Sequence, residues 1–237
     1  MPRTPLAILP VLLLLTGCAA SVPPGAAQPT LGAYRVGTIE EKTSIDDWDG
    51  TFIQNDGSTS FTIVDGNDSG TTVTYTVKTI GDGEWKLSTT DRSTWYWSKG
   101  VGGMVCTKNV DVPSGSTSTF DPPLLVIPKS MEPGTPVTAE GRITVVHTDN
   151  PSSQMASGTW TTSISHDADV RLKLDGDVIE CTRIHTQYDA DLGLATVDRE
   201  SWDYYAKGRG WVAMVFKETV TKVIIPEHTT GTWILSK

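Results

Sequence analysis

From Leu31 onward, apolar and polar residues alternate with a period of two. Clusters of turn residues break that alternation roughly every ten residues. Thr71-Thr72-Val73-Thr74-Tyr75-Thr76-Val77 puts Val73, Tyr75 and Val77 on one face and threonines on the other. Ser60-Phe61-Thr62-Ile63-Val64 and Arg171-Leu172-Lys173-Leu174 alternate in the same way. The breaks are Asn55-Asp56-Gly57, Asp65-Gly66-Asn67-Asp68, Gly81-Asp82-Gly83 and Asp175-Gly176, where Gly, Asn and Asp tolerate or stabilise tight turns. The 34 threonines point the same way, because a β-branched side chain favours strands and weakens helices. The pattern predicts an all-β antiparallel protein with at most one or two short helices; only Ile39 to Trp48 has a pattern for one.

A repeat adds a higher level of order. Asp91-Arg92-Ser93-Thr94-Trp95-Tyr96-Trp97-Ser98-Lys99-Gly100-Val101-Gly102 recurs, with one insertion, as residues 198–210 from Asp198 to Gly210. Each copy runs from an aromatic strand through a Lys-Gly-x-Gly turn into an apolar strand. Two related halves follow, 31–112 and 137–237, joined by a Pro-rich crossing at 113–136. They predict a curved antiparallel sheet, either a half-barrel or a sandwich. Gly100 and Gly102 in one copy, and Gly208 and Gly210 in the other, are expected to include a glycine at positive φ. Successive aromatics of a strand point to opposite faces, so these strands carry rings on both. One set packs a core. The other either pairs across strands or presents Trp95, Trp97, Trp202, Tyr205 and Trp211 to an apolar ligand or partner.

The N-terminus, MPRTPLAILPVLLLLTGCAA, has a cationic start at Arg3 and a ten-residue apolar run, Leu6–Leu15. That run is too short to span a bilayer and reads as the apolar core of a signal peptide, residues 1–17. Leu15-Thr16-Gly17-Cys18 resembles the lipobox of bacterial lipoproteins. By that resemblance Cys18 becomes the lipidated first residue of the mature chain and is the link to the membrane. Two or three acyl chains hold far more firmly than one. Ala19, where an Asp would mark inner-membrane retention in enterobacteria, resembles an outer-membrane address. Residues 18–30 then form a Pro- and Ala-rich tether.

Asp121-Pro122-Pro123-Leu124-Leu125-Val126-Ile127-Pro128, followed by Glu132-Pro133-Gly134-Thr135, resembles a segment of the TapB-like group of β-rich bacterial lipoproteins. Tyr205-Ala206-Lys207-Gly208-Arg209-Gly210-Trp211-Val212 is similar to the later hairpin of that group, with Arg209-Gly210-Trp211 bulkier than its usual small apolar residues. The resemblance covers roughly 120–218 and implies an extracytoplasmic β-protein without assigned catalytic residues.

Charge narrows the partners. A formal net charge of −9, and −10 once residues 1–17 leave with Arg3, gives no basic patch for nucleic acid. Cys106 and Cys181, outside the cytoplasm, would form either a bridge stapling the halves together or two buried thiols. Asp65-Gly66-Asn67-Asp68-Ser69-Gly70 opens like a calcium loop, but Thr76 stands where a bidentate carboxylate is needed, so a plain turn is expected and no metal. The acidic group Asp46, Asp47 and Asp49 reads likewise as a solvated turn. His147, His166, His185 and His228 lack metal-ligand spacing. His166 with Asp167 and Asp169 could pair a base with an orienting carboxylate, but no nucleophile motif accompanies them. The expectation is a lipid-anchored envelope protein that binds or scaffolds without catalysis or cofactor, partnered by an envelope protein or a hydrophobic ligand. A lipid or hydrophobic-ligand carrier comes next, and a hydrolase last.

Overall fold

The computed structural model describes residue 31 and residues 34–39, 51–90 and 92–236. The signal peptide, Cys18, the tether and most of Ile39–Trp48 lie outside the described residues, as do Asp46, Asp47 and Asp49; Thr51 and Phe52 are helical. In chain order the described strands are β1 (Arg35–Ile39), β2 (Gly57–Gly66), β3 (Thr72–Gly81), β4 (Glu84–Thr89), β5 (Ser93–Gly100), β6 (Gly103–Asp111) and β7 (Ser116–Pro128). They continue as β8 (Val137–His147), β9 (Gln154–Leu174), β10 (Asp177–Asp191), β11 (Ala195–Ala206), β12 (Gly210–Lys222) and β13 (Ile225–Ser236).

Strands β2 to β13 pair antiparallel in sequence order, and β13 returns to pair with β2. The result is a closed barrel of twelve strands rather than a half-barrel or a two-sheet sandwich. Closure leaves no free edge in the ring. The two repeat copies form the β5–β6 and β11–β12 hairpins, six strands apart and therefore on opposite sides of one ring, with their turns at the same end. The seam between β13 and β2 sets Gly231 against Gly66, and both crossings are tight. A Cβ on Gly66 would collide with the Thr230 backbone, and one on Gly231 with the Phe216 ring.

The segment expected as a Pro-rich crossing is mostly wall, since Ser116–Pro128 is β7. Pro122 and Pro123 lack the N–H that a ladder needs. The β6–β7 register accordingly jumps from Lys108↔Thr119 to Cys106↔Leu124.

Alternation turns the apolar set inward. Phe61, Ile63, Val73, Tyr75 and Val77 are buried, while Ser58, Ser60, Thr74, Thr76 and Lys78 face outward. This is the inverse of a lipid-spanning barrel, whose outward face is apolar. Two clusters fill the interior. One, around Phe61, Met104, Ile164 and Phe216, includes Phe52 and Met131 and lies toward the Lys-Gly turns. The other, around Ile143, Val145, Trp160 and Val197, fills the opposite end. Burying each such side chain stabilises the fold by about 1.5–3 kcal/mol.

A third cluster lies outside the ring. Strand β9 leaves the wall at an irregularity beside Asp167, where Ala168 faces Arg183 and His166 faces Ile184. The extra residue reverses the faces beyond it, as bulges do. Val170, Leu172, Leu174, Ile179 and Cys181 then pack against outward residues of β11–β13, including Tyr204, Ala213, Val215 and Ile234. Strand β1 pairs along this projecting hairpin.

The expected Cys106–Cys181 bridge is not formed: both are buried free thiols. Cys106 points into the barrel and Cys181 lies beneath the projecting hairpin on the outer face, so the wall itself separates them. The turn glycines divide differently from expectation. Gly208 (φ 75°) and Gly210 (φ 68°) adopt the left-handed region, whereas Gly100 and Gly102 do not; in that copy Gly103 (φ 141°) takes the unusual angle. The reason is loop length. Gly100 pairs with Gly103 across two residues, while Ala206 pairs with Gly210 across three.

Candidate functional site

Between the two interior clusters the barrel leaves a cavity of about 230 Å³. Strand alternation determines its lining. Strand β5 contributes Trp95 and Trp97 while Tyr96 turns outward beneath Lys108, whose ammonium sits 4.0 Å from the ring centre. Strand β11 contributes Arg199, Ser201, Asp203 and Tyr205, every second residue. Tyr75, Tyr188, Trp211 and Trp233 complete an aromatic surround, and Leu124, Leu125, Val126 and Met214 supply aliphatic contact. The rings are fixed by one another: Trp211 lies 5.2 Å from Tyr75 and 5.9 Å from Trp233, centre to centre. Phe61 packs behind Trp211 at 4.6 Å, and Phe52 edges Tyr205 at 4.9 Å.

Polar groups interrupt this apolar surface. Arg199 donates to Glu218 at 3.2 Å and lies over the Phe216 ring at 4.5 Å. Burial pushes the Glu218 carboxyl above its ordinary value, a rise that the neighbouring Arg199 partly offsets. Asp203 accepts from the Ser201 hydroxyl at 2.8 Å and from the Trp211 indole N–H at 3.2 Å. Burial raises its pKa as well, against the opposing pull of those two donors and Arg199. Tyr75 and Tyr205 also titrate higher than usual, chiefly through burial and then through Asp203. The Tyr188 hydroxyl, the Trp97 indole N–H and the Asn109 carbonyl oxygen make no hydrogen bond within the protein. A buried polar atom left so costs about 1–3 kcal/mol, and these three border the cavity.

Of the five aromatics singled out in the sequence, Trp95, Trp97, Tyr205 and Trp211 meet at this cavity. Trp202 does not. It faces outward and stacks on His185 at 4.9 Å, next to a cross-strand ladder in which Glu200 bridges His185 and Lys217. Cys106 lines the cavity, and burial pushes its thiol up to about 12. The turn glycines cluster at the barrel end, where Gly210 abuts Gln54. Sequence reasoning missed Tyr75, Tyr188, Arg199, Asp203 and Trp233. A signal existed for two of them: the parity that places Val197, Ser201 and Tyr205 inward also places Arg199 and Asp203 there.

The histidine–carboxylate pair exists but stands apart. His166 Nε2 lies 2.9 Å from Asp169 Oδ1 in a buried site, and Asp167 bonds Arg183 instead; none of the four borders the cavity. Asp68, in the turn that opens like a calcium loop, holds Arg92 at 2.8 Å. Among the described residues no group of three or more His, Cys, Asp or Glu side chains is placed to hold a metal ion.

No family model matches the chain, and no curated protein matches it. Two solved structures are similar. The hypothetical lipoprotein YmcC from Escherichia coli is 12% identical, with 81% of this chain and 94% of that one covered at a TM-score of 0.41. A candidate lipoprotein from Parabacteroides distasonis is 8% identical, with 78% and 95% covered at a TM-score of 0.40.

Proposed function

We infer that this protein is a lipid-anchored component of the bacterial cell envelope that binds a small molecule inside its barrel without transforming it. The anchor rests on Leu15-Thr16-Gly17-Cys18 and the apolar run before it. An outer-membrane position follows the lean given by Ala19. The binding role rests on one observation: a cavity of about 230 Å³, with packed core on either side, lined by aromatic rings and a few polar side chains, among them Arg199, Ser201 and Asp203. Polar groups at fixed points on an otherwise apolar wall are what orient a ligand. The volume is below the ~300–1,000 Å³ of drug-sized pockets, which restricts the occupant to a small molecule. This favours the carrier reading over a purely scaffolding one.

Native mass spectrometry of the intact protein extracted from the envelope tests both parts. The expected spectrum shows acyl mass that Cys18→Ala removes, and a small noncovalent ligand. Thr186→Phe, which fills the cavity from β10, should eliminate the ligand while the barrel stays folded. A wild-type protein that carries no ligand and gains no thermal stability from envelope extracts would refute the binding role.

A further inference from the structure

The two charged side chains of the cavity wall are partnered differently. Arg199 is engaged by Glu218, with its guanidinium carbon 4.5 Å from the centre of the Phe216 ring. Asp203, also on the wall, has no ion pair among the described residues; its two oxygens accept only from Ser201 and Trp211. Around it stand Tyr75, Tyr205 and Trp211, with Trp97 and Trp233 further round the same space. Aromatic faces carry negative potential, which attracts cations and opposes anions, most strongly where water is excluded. Arg199 attracts this carboxylate from along the wall, but no cation pairs with it among the described residues.

We propose that the barrel interior binds a small organic cation, a protonated amine or quaternary ammonium on an apolar body, with Asp203 as its counter-ion and the surrounding rings as its cage. The proposal rests on the reading of the cavity as a ligand site. An anionic ligand would meet Asp203 and ring faces of the same sign. A neutral apolar ligand would leave the carboxylate with its two hydrogen-bond donors but no counter-ion. A cation satisfies both, and favours the ionised form of a group that burial otherwise drives toward its neutral form.

Benzyltrimethylammonium and neopentylbenzene have the same shape and differ in charge, so calorimetric titration of the intact protein with each isolates the effect of charge. The cation should bind saturably, one per chain, and tighter than the hydrocarbon by about tenfold or more. Asp203→Asn should remove most of that preference while still admitting the hydrocarbon. Because the wild-type comparison needs no variant, a misfolded Asn variant does not decide the matter. Equal or tighter binding of neopentylbenzene overturns the cation assignment and leaves the interior site standing. Binding of neither probe overturns both.

Discussion

At the scale of single residues, positive φ divides glycines that the sequence makes look alike. Gly208 lies at φ 75° with open space where a side chain would go, so Gly208→Ala should cost only the conformational penalty, about 1–2 kcal/mol. Gly210 adds a collision, since a Cβ there would stand 2.8 Å from the Gln54 backbone nitrogen; its alanine variant should cost more. Gly102 has an ordinary φ and an open surround, and Gly102→Ala should stay within about 0.5 kcal/mol of wild type. Urea unfolding of the three variants would sort them, and equal losses at Gly102 and Gly208 would defeat the account. The sequence places glycine in both turns but does not reveal which φ each one takes. That depends on whether two or three residues bridge the strands, and one insertion between the copies changes it.

Strands and hairpins were the most legible level. Alternation in residues 60–64, 72–77 and 171–174 falls within β2, β3 and β9, and the Asx-Gly breaks are turns or strand ends. What alternation could not convey is that β9 serves two structures. Its first part closes against β8; beyond Asp167 it joins the projecting hairpin, reversing which side its apolar residues cover. Two cysteines in strands outside the cytoplasm therefore read as a candidate staple, while a bulge at Asp167, 61 residues from one thiol and 14 from the other, sends them to opposite faces. The arrangement has a measurable sequel. Both thiols are pushed up to about 12 by burial, so neither reacts until its cover opens. Opening the projecting hairpin uncovers Cys181 with the ring intact, whereas Cys106 lies on the cavity wall and is reached only from inside the barrel. In the native protein a thiol reagent too bulky for the cavity of about 230 Å³ should label Cys181 at least about tenfold faster than Cys106, with Cys106 tracking global unfolding. Equal rates would show that hairpin and barrel open as one unit.

For the whole molecule, the all-β antiparallel class was readable, and closure was not, because pairing of β13 with β2 joins segments remote in sequence. The inward placement of Arg199, Asp203 and Glu218 follows from that closure, and with it a dependence of stability on pH. Asp203 and Glu218 titrate above their ordinary values in the fold, so on acidification the folded chain takes up protons before the unfolded chain does. Their cost to the fold is full above the raised pKa values and fades as pH falls toward the unfolded ones. Urea midpoints should therefore rise as pH falls toward the ordinary carboxylate range. Glu200 works in the opposite sense: burial would raise its pKa, but hydrogen bonds from Lys217 and His185 outweigh that and hold it low. Comparison with Asp203→Asn separates the contributions. That variant should gain stability at the higher pH and show a smaller rise on acidification; an unchanged slope would mean that Asp203 stays ionised throughout.

The glycine-to-glycine seam between β2 and β13 also orders events in time. The first strand of the ring is synthesised early and has nothing to close against until residues 231–236 exist, when Phe61 meets Leu235 and Gly66 meets Gly231. Contacts so distant in sequence form slowly, and the waiting sheet keeps two bare edges open to other chains. The final dozen residues act as a clasp rather than a tail. A ribosome that stops short of them yields not a smaller barrel but an unfastened sheet, with Phe61, Ile63 and the rings around the cavity turned toward whatever lies nearby.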